Sequence, residues 1–393
     1  MVRRPFSSRV PSDLGRNPLA RAVADARADG RALVDLTESN PTRAGFDYPD
    51  YLLSALADAR GLKYEPVPFG LIAARQAVAR DYARRGVSVS PERIALTAST
   101  SEAYSLLFKL LTDAGDEVLA PRPSYPLFDH LARLDAIALR HYDLEYHNGW
   151  SIDLASLERA ISERTRAVLV VSPNNPTGSF VSRQDLKRLE TICVDRGIAI
   201  IADEVFADYQ LRPGACVDAG RVLDIRQGLA FSLGGLSKSV GLPQVKLGWM
   251  AAAGAGDVVA EALARLELIC DTYLSVSTPI QAAAAELLSR GAAVRTQIQT
   301  RIASNYRTLA ERLEAVPSCT LLVADGGWSA VVRVPSIGSE EDLVVDLVGK
   351  GVLVHPGYFF DFPHESYLVV SLLPPESEFA DGVGRVLRHV GTL

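Results

Sequence analysis

The chain has 393 residues, more than one hydrophobic core usually serves, so two domains are expected. Hydrophobic residues make up 48% and charged residues 22%; the net charge is -6 with no long basic run. That balance is ordinary for a soluble globular protein and argues against a nucleic-acid partner.

Four cysteines, Cys193, Cys216, Cys270 and Cys319, show neither CxxC nor His-paired spacing. No metal site and no disulfide framework is expected, and reduced thiols in a cytoplasmic protein are the plain reading. Arg3 and Arg4 are followed by no apolar segment of the kind a secretory signal needs. The apolar run 251–264 is interrupted by Asp257 and Glu261, so no membrane span is expected.

Residues 1–33 read as an arm and a short helix, with Asn17-Pro18 opening an Ala-rich amphipathic segment at 19–28. A short extended piece from Leu33 then runs into an Asn-, Pro- and Gly-rich turn at 40–45. Helices are predicted over 49–60 and 71–85, with a Pro-broken loop at 63–70 between them. Next, strands at 93–98, 117–120, 138–142, 167–171, 198–202, 229–233 and 247–252 alternate with helices at 101–111, 125–134, 154–161 and 183–195. Short, nearly pure apolar runs separated by helices predict an α/β fold whose mostly parallel, seven-stranded sheet is covered on both faces.

From about residue 258 the pattern turns helical, with one or two long helices over 280–315. Strands at 329–334, 351–354 and 367–372 and helices at 340–347 and 378–390 then give an α+β pattern. The expected division is an N-terminal arm and part of the small domain at 1–45, a large domain at 46–290, and a small α+β domain at 291–393.

Ligands of such sheets sit at the carboxyl ends of the strands, so the residues just after each apolar run carry the chemistry. Ser99, Thr100 and Ser101 come after the first run, where hydroxyls and a helix start make either a phosphate cradle or an ordinary N-cap. Tyr125 comes after the second, held between prolines. Asn174-Asn175-Pro176-Thr177-Gly178 comes after a third. Asp203 directly succeeds a fourth; an acid there is either paired with a base or caps the next segment, because burial alone would be costly. The run 231–236 leads through two glycines to Ser237-Lys238, with Lys246 eight residues on. A lysine among apolar neighbours loses its proton more readily, and a neutral amine attacks carbonyls.

Asn175-Pro176-Thr177-Gly178, then Asp203-Glu204-Val205-Phe206, then Ser237-Lys238 together resemble the pyridoxal-phosphate-dependent aminotransferases of fold type I, the class I/II, aspartate-aminotransferase-like group. The resemblance runs from about residue 40 to the C-terminus. It implies pyridoxal 5'-phosphate held by Lys238 as a Schiff base, with Asp203 on the pyridine nitrogen. It further implies Asn175 on the ring oxygen and Tyr125 stacked on the ring. The phosphate falls to Ser99, Thr100, Ser101, Ser237 and Lys246. Tyr64 resembles the tyrosine that such enzymes extend to a neighbour's phosphate, which implies a homodimer with shared sites. The implied activity moves an amino group from a small-molecule amino donor to an oxo acid or carbonyl acceptor, with Lys238 as base and then acid. A lyase or decarboxylase of the same fold is the alternative, and a non-catalytic binding protein on this scaffold a third reading.

Three departures stand out. Phe206 replaces a tyrosine and cannot donate to the ring oxygen. Lys246 replaces an arginine, exchanging a bidentate fork for a point charge. Val369 stands where an ungapped reading places the arginine that grips the substrate α-carboxylate. Either another group takes over, with Arg43, Arg333 and His355 as candidates, or the substrate lacks that carboxylate. Ser39 and Trp328 complete the candidate substrate contacts, although Trp328 also reads as a core aromatic and His355 as a strand-end histidine satisfied by backbone.

Overall fold

The computed structural model describes residues 6–391 apart from 275, 337 and 365. Its strands are β1 (Val34–Asp35), β2 (Ile94–Thr97), β3 (Glu117–Arg122), β4 (Ala138–Tyr146), β5 (Trp150–Ile152), β6 (Thr165–Val171) and β7 (Ala199–Asp203). They continue with β8 (Leu229–Gly235), β9 (Gly248–Gly254), β10 (Thr320–Leu321), β11 (Ser329–Arg333), β12 (Val352–Leu353), β13 (His355–Pro356) and β14 (Tyr367–Ser371). Among the described residues no helix is long and apolar enough to cross a membrane.

The main sheet has eight strands in the order β2-β9-β8-β7-β6-β3-β4-β5. The interior pairs β8–β7, β7–β6, β6–β3 and β3–β4 are parallel, and β2, β9 and β5 join antiparallel. The central strands are buried on both faces, as the apolar runs require. Ala167, Leu169 and Val171 of β6 face one apolar layer with Phe231 and Leu233, while Val168 and Val170 face the other with Ile200 and Ala202.

All seven expected strands are present, and the eighth is β5. It arises because β4 runs on to Tyr146 and turns back through Asn148 in the left-handed conformation, pairing Tyr146 with Trp150. The polar composition of 143–149 hid this hairpin from an apolar-run reading.

Other boundaries moved for local reasons. The predicted helix at 49–60 is two 3-10 segments, Asp50–Ala57 and Ala59–Leu62. Asp58 between them is extended, and its carboxylate accepts from the Arg60 N–H at 2.8 Å. The helix predicted from 125 begins at Leu127, with Pro126 in the cap position. The 280–315 stretch is two helices, Thr278–Arg290 and Ala292–Leu313, meeting at Gly291.

The second sheet is antiparallel, in the order β10-β11-β14-β13. β1 pairs in parallel with β12, and the Leu36 N–H donates to the Leu353 carbonyl at 2.9 Å, so the N-terminal segment packs within the C-terminal third. The chain leaving β14 is fixed from behind by Asn305, which is fully buried. Its amide nitrogen donates to the carbonyls of Leu372 (2.9 Å) and Pro374 (2.8 Å).

Removing Asn305 would strand two buried carbonyls. Asn305→Ala is expected to lower stability by about 2 kcal/mol or more. Urea unfolding is the check, and a loss within experimental scatter would contradict this role.

Candidate active site

The carboxyl ends of β6, β7 and β8 open onto a cavity of about 380 Å³, walled on the far side by β11, β13 and β14. It gathers residues from stretches far apart in sequence: Ser99, Thr100, Ser101, Tyr125, Asn175, Asp203, Phe206, Ser237, Lys238 and Lys246 all line it.

One end is built by the start of the helix Thr100–Leu111. Ser99 is its N-cap: the hydroxyl accepts from the Glu102 N–H at 3.1 Å, and the Glu102 carboxylate accepts from the Ala98 N–H at 2.6 Å. The Glu102 carboxylate thus reaches past the cap to the N–H before it, and the two bonds fix the helix start while leaving the N–H groups of Thr100 and Ser101 at the cavity mouth. Of the two readings the sequence left open, the N-cap is the one seen at Ser99. Gly248 on β9 lies against it; a Cβ there would come within 2.9 Å of the Ser99 carbonyl carbon and 3.1 Å of the Thr100 nitrogen. The bare glycine keeps this end open beside Ser237 and Lys246.

At the floor, Asp203 ends β7. One carboxylate oxygen accepts from the Val205 N–H at 3.1 Å, and the other accepts from the Tyr104 hydroxyl at 3.1 Å. Burial pushes its pKa up to about 6, against the opposing pull of those two donors and of Lys238. Burial likewise lowers the Lys238 pKa, with Asp203 acting in the other direction. The Lys238 Nζ lies 5.0 Å from the centre of the Trp328 ring and 5.8 Å from that of Phe206. Those two rings meet edge to face at 5.2 Å. Asn175 accepts from the Ser329 hydroxyl at 3.4 Å, which leaves its NH₂ without a partner among the described residues. Tyr125 stands half-exposed at the rim, its ring perpendicular to Phe128.

Of the substrate candidates, Ser39, Trp328 and His355 line the cavity. Trp328 is both things the sequence offered, a buried aromatic and a wall of the site. Burial lowers the pKa of His355, and its Nδ1 has no hydrogen-bond partner among the described residues, so the backbone-satisfied reading does not hold there for that atom. Arg43 and Arg333 are not brought in. Arg43 is exposed on its turn, and Arg333 is exposed at the far end of β11, about 13 Å along the strand from Ser329. Tyr64 is also outside its own chain's cavity, largely exposed beside a shallow groove it shares with Leu274.

Sequence reasoning missed Tyr104, Thr37, Ser329 and Ser371. Tyr104 sits one turn into the helix Thr100–Leu111, where a tyrosine among Ala103, Leu106 and Leu107 reads as core. Val369 lines the cavity as the ungapped reading placed it, paired with Val331 and His355. A shifted register would supply no cation either, because the segment 367–373 carries none.

The family model for aminotransferase class I and II matches residues 32–378. The chain belongs to the aminotransferase class I and II family.

Relatives of this aminotransferase span nearly its whole length. An alanine aminotransferase of Mycobacterium tuberculosis is 27% identical over 94% of this chain and 88% of its own. A probable aspartate/prephenate aminotransferase of Aquifex aeolicus is 27% identical over 98% of both. In structure, an alanine aminotransferase from Pyrococcus furiosus superposes with a TM-score of 0.86 at 23% identity, covering 95% of this chain and 96% of that one. The activity of the chain is therefore pyridoxal-phosphate-dependent transamination between an amino donor and an oxo acceptor, and the lyase or decarboxylase alternative is not favoured. The donor set fits the cofactor: a buried carboxylate, a lysine of lowered pKa, and a helix start that a single Cβ would obstruct.

Burial that pushes the Asp203 pKa up to about 6 implies a pH limit. A carboxylate facing a bound cation has a lower pKa than one facing an empty cavity, so cofactor affinity is expected to hold above about pH 6. Below that it should fall, approaching tenfold per pH unit. Tyr104→Phe removes a donor that favours the ionised form and should move this fall to higher pH. Titrating apoenzyme with pyridoxal phosphate from pH 5 to 8 checks both, and an unmoved midpoint in the variant would mean that Tyr104 does not tune Asp203.

Proposed function

We propose that Lys238 is the proton carrier of transamination in this enzyme and that Asp203 is the fixed counter-charge for the pyridine nitrogen. The observation carrying this is their position on one cavity, with Lys238 the only lysine beside the buried carboxylate among the lining residues and its pKa lowered by burial. Pyridoxal phosphate, when bound, supplies an electron sink that acidifies the substrate Cα–H. Lys238 takes up the proton released at the substrate Cα and, as base and then acid, would return it across the nitrogen to the carbon that the cofactor's aldehyde contributes. Asp203, held through both oxygens, keeps its orientation while doing so. The Asn175 NH₂ donates to the ring oxygen, Tyr125 covers the ring face, and the amides and hydroxyls of Ser99, Thr100, Ser101 and Ser237 receive the phosphate with Lys246. Trp328 and Phe206 shield Lys238 from water.

The same reading makes the enzyme a cytoplasmic homodimer, divided into an arm with part of the small domain (1–45), a cofactor-binding large domain (46–290) and a small domain (291–393). Exposed Leu62, Tyr64, Leu268, Tyr273 and Leu274 support a second copy covering this face, with Tyr64 directed to the partner's phosphate end.

Lys238→Ala is expected to abolish turnover, by at least about a thousandfold, while retaining measurable cofactor binding. Ordinary activity in that variant would remove Lys238 from its role. Phe206→Tyr adds a hydroxyl at the cavity wall, which should lower the pH midpoint of the visible cofactor band by donating to the ring oxygen. A superimposable titration would mean that position 206 does not face that oxygen.

A further inference from the structure

We propose that the preferred amino donor of this enzyme carries no α-carboxylate and is a primary amine bearing uncharged hydroxyl groups, of the amino-alcohol class. The inference rests on the aminotransferase reading above and deepens it.

The wall facing Lys238 from the second sheet is neutral. Val369 is buried there, its side chain packed with Leu322, Val331, Phe360 and Phe362. Among the described residues lining the cavity, the only lysine or arginine side chains are Lys238 and Lys246. In the proposed roles Lys238 meets the cofactor carbonyl and Lys246 its phosphate, so neither is left for a substrate anion. Arg301, on the helix behind β14, is turned away: its guanidinium donates to the carbonyls of Ala44 (3.3 Å) and Leu373 (3.2 Å) and packs on Phe46. His355 does not replace an arginine, because burial favours its neutral form despite the nearby Asp35. A carboxylate placed against this wall would be buried without a cation, which is strongly disfavoured.

What the wall does offer is neutral hydrogen bonding. Thr37, Ser39, Ser329 and Ser371 bring hydroxyls to the cavity. The His355 Nδ1 and the Trp328 Nε1 also lack partners among the described residues but are closed off from solvent, so the hydroxyls carry this set. Ser371 is set in place rather than loose: it donates to the Glu38 carbonyl at 2.6 Å and accepts from the Leu373 N–H at 3.2 Å, keeping one lone pair for a ligand. Hydroxyl groups on the substrate satisfy such a set, since each can both donate and accept. Phe360 and Trp328 supply apolar surface for the carbon skeleton.

The test is a matched pair of probes on the full-length holoenzyme, so that any second copy it assembles with is present. L-alanine and L-alaninol differ only in carboxylate against hydroxymethyl, as do L-serine and serinol. Equilibrium titration, read by tryptophan fluorescence and by the visible cofactor spectrum, is expected to show each amino alcohol binding at least tenfold tighter than its amino acid. Val369→Arg should raise the affinity for L-alanine by tenfold or more and weaken that for L-alaninol.

Equal or tighter binding of the amino acids by the unaltered enzyme overturns the proposal, as does failure of both amino alcohols to perturb either signal. The unaltered enzyme decides even where the variant does not fold. Borohydride reduction followed by peptide mapping separates this outcome from failure of the underlying reading. Cofactor fixed on Lys238 with a preference for amino acids sinks the donor assignment alone, whereas no label on Lys238 sinks both.

Discussion

Two ionisable side chains that water would keep charged share one water-poor floor, and the fold exists to hold them there. Burial raises the Asp203 pKa and lowers that of Lys238, so each is driven toward neutrality by the same desolvation while its partner pulls the other way. Proton ownership at each is therefore set by the surroundings, and small changes in them shift it. That is the condition a proton carrier needs. It is reached by placing each residue at the end of a different central strand, β7 for Asp203 and β8 for the turn leading to Lys238.

The backbone supplies much of the remaining order. The N–H of Val205 and the hydroxyl of Tyr104 occupy one lone pair on each Asp203 oxygen, so the carboxylate cannot rotate without breaking a hydrogen bond. The Ser99 hydroxyl and the Glu102 carboxylate fix the start of the helix Thr100–Leu111 in the same way. On the opposite wall, Asn305 clamps the chain leaving β14 and thereby sets where Ser371 and Val369 face. The two walls of the cavity come from different sheets, and each is braced from behind by a buried polar group, Tyr104 on one side and Asn305 on the other.

The central sheet was legible because strands buried on both faces must be continuously apolar, as β6 is from Ala167 to Val171 and β7 from Ala199 to Ala202. The sheet side of the cavity was legible because its lining residues come directly after strands of that sheet. β5 was not, since an edge hairpin needs no apolar run and its turn depends on one left-handed asparagine. Tyr104 was hidden by its neighbours: a helix face of Ala, Leu and Phe gives no sign that one hydroxyl reaches across to a strand end. The failure of Arg43 and Arg333 to reach the cavity was equally invisible, because direction depends on tertiary placement rather than on residue type. The neutral wall was half legible. Val369 could be read off the chain, but the hydroxyls around it converge from β1's exit, β11 and β14 only in three dimensions.

Four residues before Lys238, Gly234 lies opposite Trp249 on the neighbouring strand, and the indole fills the space where a side chain at 234 would stand. The two positions therefore share one volume. Enlarging 234 alone meets the indole, and shrinking 249 alone opens a void in the core. Drift at this spot requires two coordinated substitutions, which makes the approach to the lysine turn slow to diversify even as the opposite wall, built from small hydroxyls and one valine, can vary residue by residue. Within a lineage built on this chain, new specificity would accumulate on one side of the cavity while the other stayed still.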